Sequence, residues 1–595
     1  MLTREAVLSR PESTSLKDLQ APIGLSPRHP AALLNSSRQG HLVEIVHAAT
    51  LFSEGSVTTE GALVPALAHY LAKAGKSGIT AVYAPGIYRT SMFSELAMPH
   101  FASTWQEPPQ DLRQVKASVF AIADLIPNGS IKSWENLRRV AEQALRCYGI
   151  TLVVDFVPNT IAVDSEAVRN RPDLIADSSV NRADLERCRH WEDLGNGNRR
   201  CKYWNRSETA LDGDRQKHLL MIYSAGGPSE LFVYTRESGR DGVFKIYVQR
   251  ESEHVFRPHF WVVKDDGSGE VTDCKTLGSD TGTGKVWADV AQLKTWDQKV
   301  REWQADLLVN LGNCVPIVRA DMAHLPPHDY WSAVQTLARG RTDKTPVIWG
   351  EAYQEQQGRL AKDGLLTYAD WIRNWINTGN IPALMRDIAR SEPCEFMKRN
   401  SIAYVANHDD AGSANNLLEG AKLAILTALP VPVVLLPQGA RFGDHRRYGA
   451  DQHVPLLDFR AIAAAERKKD PAFVDFVEKI LPLGGLDVFR SPASDCRPAT
   501  LEPRGGKSSE QIFHVVRTLG EDRVLAVVDY QLHTRNSSIE VNLAASFKLA
   551  PEKLAQLNLV NLITGRIQPA EERLVLRPQD ENLGYNVYLF ALAAK

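Results

Sequence analysis

Arg319 and Asp321 stand two residues apart near the end of the strand-like stretch of "VPIVRADMAHLPP" (315–327), which begins apolar and turns charged. Burying an ion pair in such a place is costly unless it has a structural partner or a task. Residues two apart on a strand point to the same face, so the guanidinium lies beside the carboxylate. A neighbouring cation lowers a carboxylate's pKa and keeps it ionised, which is the state a nucleophile needs. A second carboxyl, Glu351, follows "PVIWG" and its Trp349. Apolar surroundings there favour the protonated form that a general acid requires. An ionised carboxylate paired with a protonated one is the working set for cleaving a glycosidic bond, and the retaining geometry needs them about 5–5.5 Å apart.

Two more polar groups end apolar runs in the same way: Asp155 with Asn159 in "GITLVVDFVPN", and Asn407-His408-Asp409 in "SIAYVANHDD". Each alone has a plain structural explanation, as a turn cap, a salt bridge or a solvated loop. Together they put polar groups at the C-terminal ends of four strands, which chance placement rarely does. His408 and Asp409 suit sugar hydroxyls, because charged partners make the stronger hydrogen bonds.

The elements that must gather these residues show as a beat of apolar strands and amphipathic helices. "HLVEIVHA" (41–48), "GITAVYAPGI" (78–87), "GITLVVDFVPN" (149–159), "VPIVRAD", "PVIWGE" (346–351), "SIAYVANHDD" (401–410) and "VPVVLLPQG" (431–439) read as strands. Between them, Leu63, Leu67, Tyr70, Leu71 and Ala74 share one helical face; Ser133 caps a helix that buries Leu137, Val140, Ala141, Ala144 and Leu145. Alternation of this kind predicts a parallel sheet covered by helices. About eight units predict a (β/α)8 TIM barrel, whose active site lies at the C-terminal mouth of the strands. The beat stops after the third strand for a polar stretch with hairpin-like pieces, "ELFVYTRE", "VFKIYVQRE" and "HFWVVKDD". Near 487 it gives way to strands alone.

We therefore expect an α/β chain of four parts: an N-terminal arm (1–38), a catalytic barrel (39–159 and 312–486), an insertion after strand 3 (160–311) and a C-terminal antiparallel β-sandwich (487–595). Trp191, Tyr203, Trp204 and Trp261 in the insertion are aromatics of a kind that stacks on sugars or fills a local core.

The 69 Lys and Arg balance 71 Asp and Glu, so a nucleic-acid or anionic-membrane partner is not expected. Seven scattered cysteines without a CxxC predict neither a zinc knuckle nor a disulfide framework. The first thirty residues lack the apolar core of a secretory signal, and no run is long enough to span a membrane, so a cytoplasmic setting is the default.

In their order along a barrel, "DFVPN", "VRAD", "GE" and "NHD" resemble the four signature regions of the α-amylase superfamily of glycoside hydrolases, over roughly residues 40 to 595. The resemblance implies a retaining α-glycosidase acting on α-linked glucosides or α-glucan oligosaccharides. Asp321 matches the nucleophile, Glu351 the acid/base and Asp409 the third catalytic carboxylate. Arg319, His408, Asp155 and Asn159 complete the substrate-binding set, with Asp155 matching a structural aspartate. Three departures stand out. Thr160 replaces a histidine that usually touches the sugar. Pro316 and Ile317 stand where glycine is common. His324 and Leu325 replace a Lys-His pair whose histidine helps to hold calcium in dependent members. Leucine is no ligand, so we expect no metal and no cofactor. A transglycosylase shares all these residues. A non-catalytic sugar-binding relative would show eroded carboxylates, whereas these are intact. A metal-dependent barrel would need clustered ligands; the nearest candidates are His408 with Asp409, and His324 with His328, which flank a helix-breaking "LPP".

Overall fold

The structure, a computed structural model, describes residues 40–46, 48–51, 63, 65–95, 117–127, 131–177, 191–195, 198–201, 219–224, 230–237, 240–247, 259–263, 271–279, 286–406, 416–437, 470–503, 511–530, 538–577 and 586–595. Of the sequence expectations, the arm 1–38, Tyr203, Trp204, Asn407, His408 and Asp409 lie outside the described residues.

Eight parallel strands close a barrel: β1 (His41–Ile45), β2 (Ala81–Ala84), β3 (Thr151–Phe156), β4 (Ile317–Ala320), β5 (Val347–Gly350), β6 (Leu366–Tyr368), β7 (Ser401–Ala403) and β8 (Val433–Pro437). Each pairs with its neighbours in chain order, and β1 pairs with β8 to complete the ring. Alternate side chains point to opposite faces of a strand. Val43, Ala81, Val153, Ile317, Trp349, Leu366, Ile402 and Val433 fill the interior. Leu42, Val82, Val154, Val318 and Ile348 face outward into the helices. With both faces covered, the strands read as nearly unbroken apolar runs. The sixth strand is the one the sequence reading lacked.

The helices form where period and caps call for them. Trp134–Tyr148 starts at Ser133, whose side chain accepts from Asn136 N, and ends at Gly149 with φ 64°. Leu137, Val140, Ala141 and Ala144 are buried as expected, while Leu145 is only half-buried. Helix Gln298–Cys314 starts at the Asp297 cap and packs Ala305, Leu308 and Leu311 into the barrel core. The barrel therefore resumes before residue 312. On this helix a Cβ at Gly312 would sit 1.9 Å from the Lys344 carbonyl oxygen and 2.8 Å from Pro346 Cδ. Gly312→Ala gains up to about 1 kcal/mol in helix propensity. It must also push a backbone carbonyl aside, an overpacking cost of about 1–3 kcal/mol or more. The expected net result is a lower urea midpoint with an unchanged slope; a rise would show that the close approach is easily relieved.

Three residues separate β3 from the insertion. Strand Thr160–Ala162 is the edge of a seven-stranded sheet whose other members run from Leu219–Ser224 to Val286–Gln292. Thr160 pairs with Gln292 in that sheet. At the C-terminus, a six-stranded antiparallel sheet packs Val516, Leu525, Val527 and Tyr588 against Val541, Leu574 and Leu576 of a three-stranded sheet. The other face of the larger sheet lays Phe513, Val515, Val524 and Leu589 against the barrel core. The barrel, the insertion after its third strand and the C-terminal β-sandwich thus match the predicted fold class. The sandwich strands begin at Asp495–Pro498, because Asp487–Arg490 is a short buried helix. No helix among the described residues is long and apolar enough to cross a membrane.

Candidate active site

Strand register brings the predicted residues together. Arg319 on β4 lies between Asp155 on β3 and Trp349 on β5. The inward parity of Val153 continues to Asp155, that of Ile317 to Arg319 and Asp321, and that of Trp349 to Glu351. Two backbone bonds carry the ladder past the strand ends: Asp321 N donates to Phe156 O at 3.0 Å, and Glu351 N to Ala320 O at 3.1 Å. Four side chains from three strands thereby meet at the C-terminal end of the barrel.

The guanidinium of Arg319 is their hub. Its Nη1 donates to Asp321 Oδ1 at 2.5 Å and its Nη2 to Glu351 Oε2 at 2.6 Å. Nη1 also lies 3.9 Å from Asp155 Oδ1. The guanidinium carbon sits 5.1 Å from the centre of the Phe120 ring and 5.8 Å from that of Tyr368. Arg319 and Asp155 side chains are each 1% exposed, against 14% for Asp321 and 21% for Glu351. The two carboxyls that reach the mouth are therefore those assigned to the chemistry.

Three residues of the expected substrate-binding set, Asp155, Arg319 and Asn159, are buried. Asp155 Oδ1 accepts from Tyr83 OH at 2.6 Å and its Oδ2 from Gly86 N at 2.8 Å, while Tyr88 OH donates to its carbonyl at 2.9 Å. Those bonds tie β2 to β3 and hold Asp155 beneath the site. Arg319 is likewise below it, with both terminal nitrogens engaged. Asn159 is buried, and its Oδ1 and carbonyl oxygen both accept from Gln292 Nε2 at 3.0 Å. These bonds fasten the end of the insertion to its beginning. Thr160, next to it, is buried in the insertion sheet.

The electrostatics also differ from expectation. One guanidinium serves three carboxylates. Burial pushes the Asp321 carboxyl up to about 7; Arg319 pulls it down, and Glu351 and Asp155 push it up again. The neighbouring arginine does not win, because desolvation and like charges outweigh it. Nor does Glu351 sit in an apolar pocket, since its Oε2 accepts from Arg319 and also from Met322 N at 3.0 Å. Trp349 points instead into the barrel interior.

Several positioning residues escaped the sequence reading. Met322 has φ 43°, a left-handed conformation that is uncommon for a residue with a side chain. That bend aims its N–H at Glu351. The turn after Asp321 is pinned by Trp331, fully buried, whose Nε1 donates to Ala323 O at 2.7 Å. His324 packs its ring 4.4 Å from that of Tyr353, and its Nδ1 lies 3.5 Å from Glu351 O. His328 is exposed and, like His324, precedes helix Tyr330–Arg339. Beyond β6 and β7, Tyr404 OH donates to Asp370, which lies 3.9 Å from Arg373. The one available signal was a tyrosine such as Tyr83 at the inward parity of an otherwise apolar strand. Among the described residues, no group of three or more His, Cys, Asp or Glu is placed to hold a metal ion.

Known structures show the same architecture. The maltogenic α-amylase AmyB of Thermotoga neapolitana aligns with a TM-score of 0.56 and 12% identity over 93% of this chain and 99% of its own. The α-amylase GTA of Geobacillus thermoleovorans, solved with acarbose, aligns at 0.54 and 10% identity over 93% and 98%. The cyclic α-maltosyl-(1→6)-maltose hydrolase of Arthrobacter globiformis, solved with that sugar, aligns at 0.51 and 12% over 93% and 98%. The chain has the α-amylase fold. By sequence it matches no protein-family model and no curated protein. The α-amylase fold here encompasses the barrel, the insertion after the third strand and the terminal sandwich, and the cluster around Arg319 lies where barrels of this kind place chemistry.

Proposed function

We propose that this protein is a retaining glycoside hydrolase of the α-amylase superfamily that cleaves α-linked glucosides or α-glucan oligosaccharides. Asp321 attacks the anomeric carbon while Glu351 gives its proton to the leaving glycosidic oxygen. Water, activated by the same Glu351, then releases the sugar from Asp321. The observation that carries this reading is the shared guanidinium. Carboxyls bonded to the two arms of one Arg319 sit close together, which suits the ~5–5.5 Å of double displacement rather than the ~6.5–9.5 Å that leaves room for an inverting water. Asp409 and His408 are proposed as the third carboxylate and a hydroxyl ligand. The sugars bound to the Geobacillus and Arthrobacter proteins support an α-glucosidic ligand.

The cluster also supports an electrostatic account. With Asp155 and Asp321 both beside a single cation, the site carries more negative than positive charge once Asp321 ionises. The sugar at the transition state is oxocarbenium-like and positive, so it fits a surplus of negative charge built before it arrives.

The test is trapping with a fluorinated glycosyl donor, followed by peptide mapping. A covalent adduct on Asp321 and a product first released as the α-anomer are expected. A β-anomer, or full turnover by Asp321→Ala, would end the proposal. Glu351→Gln should lower kcat on maltooligosaccharides by about 10²–10⁴-fold, the usual worth of general acid–base catalysis. The loss should be much smaller for the first step with a glycosyl fluoride, whose leaving group needs little protonation.

A further inference from the structure

Away from the mouth, two thiols meet across the boundary between barrel and sandwich. Cys394 lies on helix Ser391–Asn400, which leads into β7, and Cys496 on strand Asp495–Pro498, the first of the sandwich. Both are buried and neither is in a disulfide. Cys394 Sγ is 3.9 Å from the Cys496 carbonyl oxygen, which brings the two cysteines side by side across that boundary. They are separated by 102 residues in sequence.

Their surroundings favour a thiolate. Arg517 is directly opposite Cys496 in the strand pairing and is wholly buried. Its Nη1 donates to Ala428 O at 3.3 Å, but its Nε and Nη2 have no acceptor among the described residues. A buried cation lacking acceptors is costly, and an anion beside it would offset that cost. Lys398, one turn beyond Cys394, is also mostly buried and pairs with Glu395. In this setting Cys394 is held below the usual thiol range, first by its hydrogen bond with Cys496 and then by Lys398 and Arg517, against the effect of burial. Burial pushes Cys496 well up. The two thiols thus differ as an attacking and a resolving cysteine do.

We propose that Cys394 and Cys496 are an oxidation site, closed to a disulfide by a peroxide, that staples the barrel to the C-terminal sandwich. The Cys394 thiolate attacks one peroxide oxygen, the O–O bond breaks, and hydroxide leaves to become water. Cys496 then displaces the oxygen from the resulting sulfenic acid; the S–S bond forms and a second water departs. Two thiols give two electrons, and the peroxide takes them. With so little of either cysteine exposed, the oxidant must be a small one such as hydrogen peroxide rather than a bulky disulfide. The staple closes a long loop, the case in which a cross-link restricts the unfolded chain most.

The test uses the full chain. Native protein is treated with hydrogen peroxide, its remaining thiols are alkylated in denaturant, and peptides are mapped without reductant. A linked Cys394–Cys496 peptide, two hydrogens lighter than its separate parts, is expected. The thermal midpoint should rise by several degrees and return on reduction. Cys496→Ser should lose both the linked peptide and the shift. If both cysteines are recovered alkylated while the exposed Cys147 has been oxidised, the proposal fails. It fails equally if both end as separate sulfinic acids.

Discussion

Asp321→Asn is expected to lower kcat by about 10⁴-fold or more, the scale on which removing a nucleophile acts, and yet to stabilise the fold at neutral pH. Both effects come from the same burial. The Asp321 carboxyl is pushed from 3.8 to about 7 in the folded protein. Between those values the folded chain holds a proton that the unfolded chain has lost. Stability from this group therefore falls as pH rises from 4 to 7, and the penalty is fully present above 7. Asparagine carries no such penalty. The difference in thermal midpoint between the variant and the parent should be small at pH 4 and grow in the variant's favour by pH 8. Arg319 keeps Glu351 as its partner in the variant, so the guanidinium is not left bare. The kinetic counterpart is an acid limb in kcat/KM near pH 7, because the free enzyme must ionise Asp321 before it can attack. A limb near pH 4, or a stability difference that shrinks as pH rises, would show that Arg319 governs this carboxyl after all.

Arg319→Leu should produce a large loss of stability. Its guanidinium is nearly inaccessible and is the cation shared by Asp155, Asp321 and Glu351. Removing one member of a buried charge cluster typically costs about 3–5 kcal/mol, since the partners stay buried and unpaired. The cost should shrink below pH 7, where Asp321 takes up its proton. Urea titrations at pH 5 and pH 8 distinguish this from a simple packing loss, which would be the same at both. Arg319→Lys should recover part of the stability and little of the activity, because an ammonium lacks the fork that holds two carboxyls at once.

The parts of this molecule that were legible in sequence are those with a periodic signal. Strands buried on both faces announce themselves as apolar runs, and Arg319, Asp321, Asp155 and Glu351 follow from parity along those runs. Strand β6 did not announce itself. It has only three residues, Leu366–Tyr368, and lies between helices Gln354–Lys362 and Asp370–Thr378, too short to display a period of two. The burial of the charges was also invisible. Sequence shows that an arginine neighbours an aspartate; it does not show that two more carboxylates arrive from other strands, and their sum reverses the direction of the Asp321 shift. The surroundings of Asn159 and Thr160 were hidden for a related reason. Their partner, Gln292, lies 133 residues away from Asn159 in the chain. No local pattern links the two ends of the insertion. Met322 carries no sequence mark of its left-handed backbone.

The buried Arg490 has a bearing on how the chain must be made. Its Nη2 donates to Leu426 O and Thr427 O, its Nη1 to Leu429 O and Val431 O, and its Nε to Gly484 O. Those carbonyls close helix Asn416–Ala428 and lead into β8. During synthesis the last stave of the barrel emerges long before the arginine that locks it. Arg490 can reach those carbonyls only after residue 490 has cleared the ribosomal exit, so premature termination ahead of it would release a chain without these bonds.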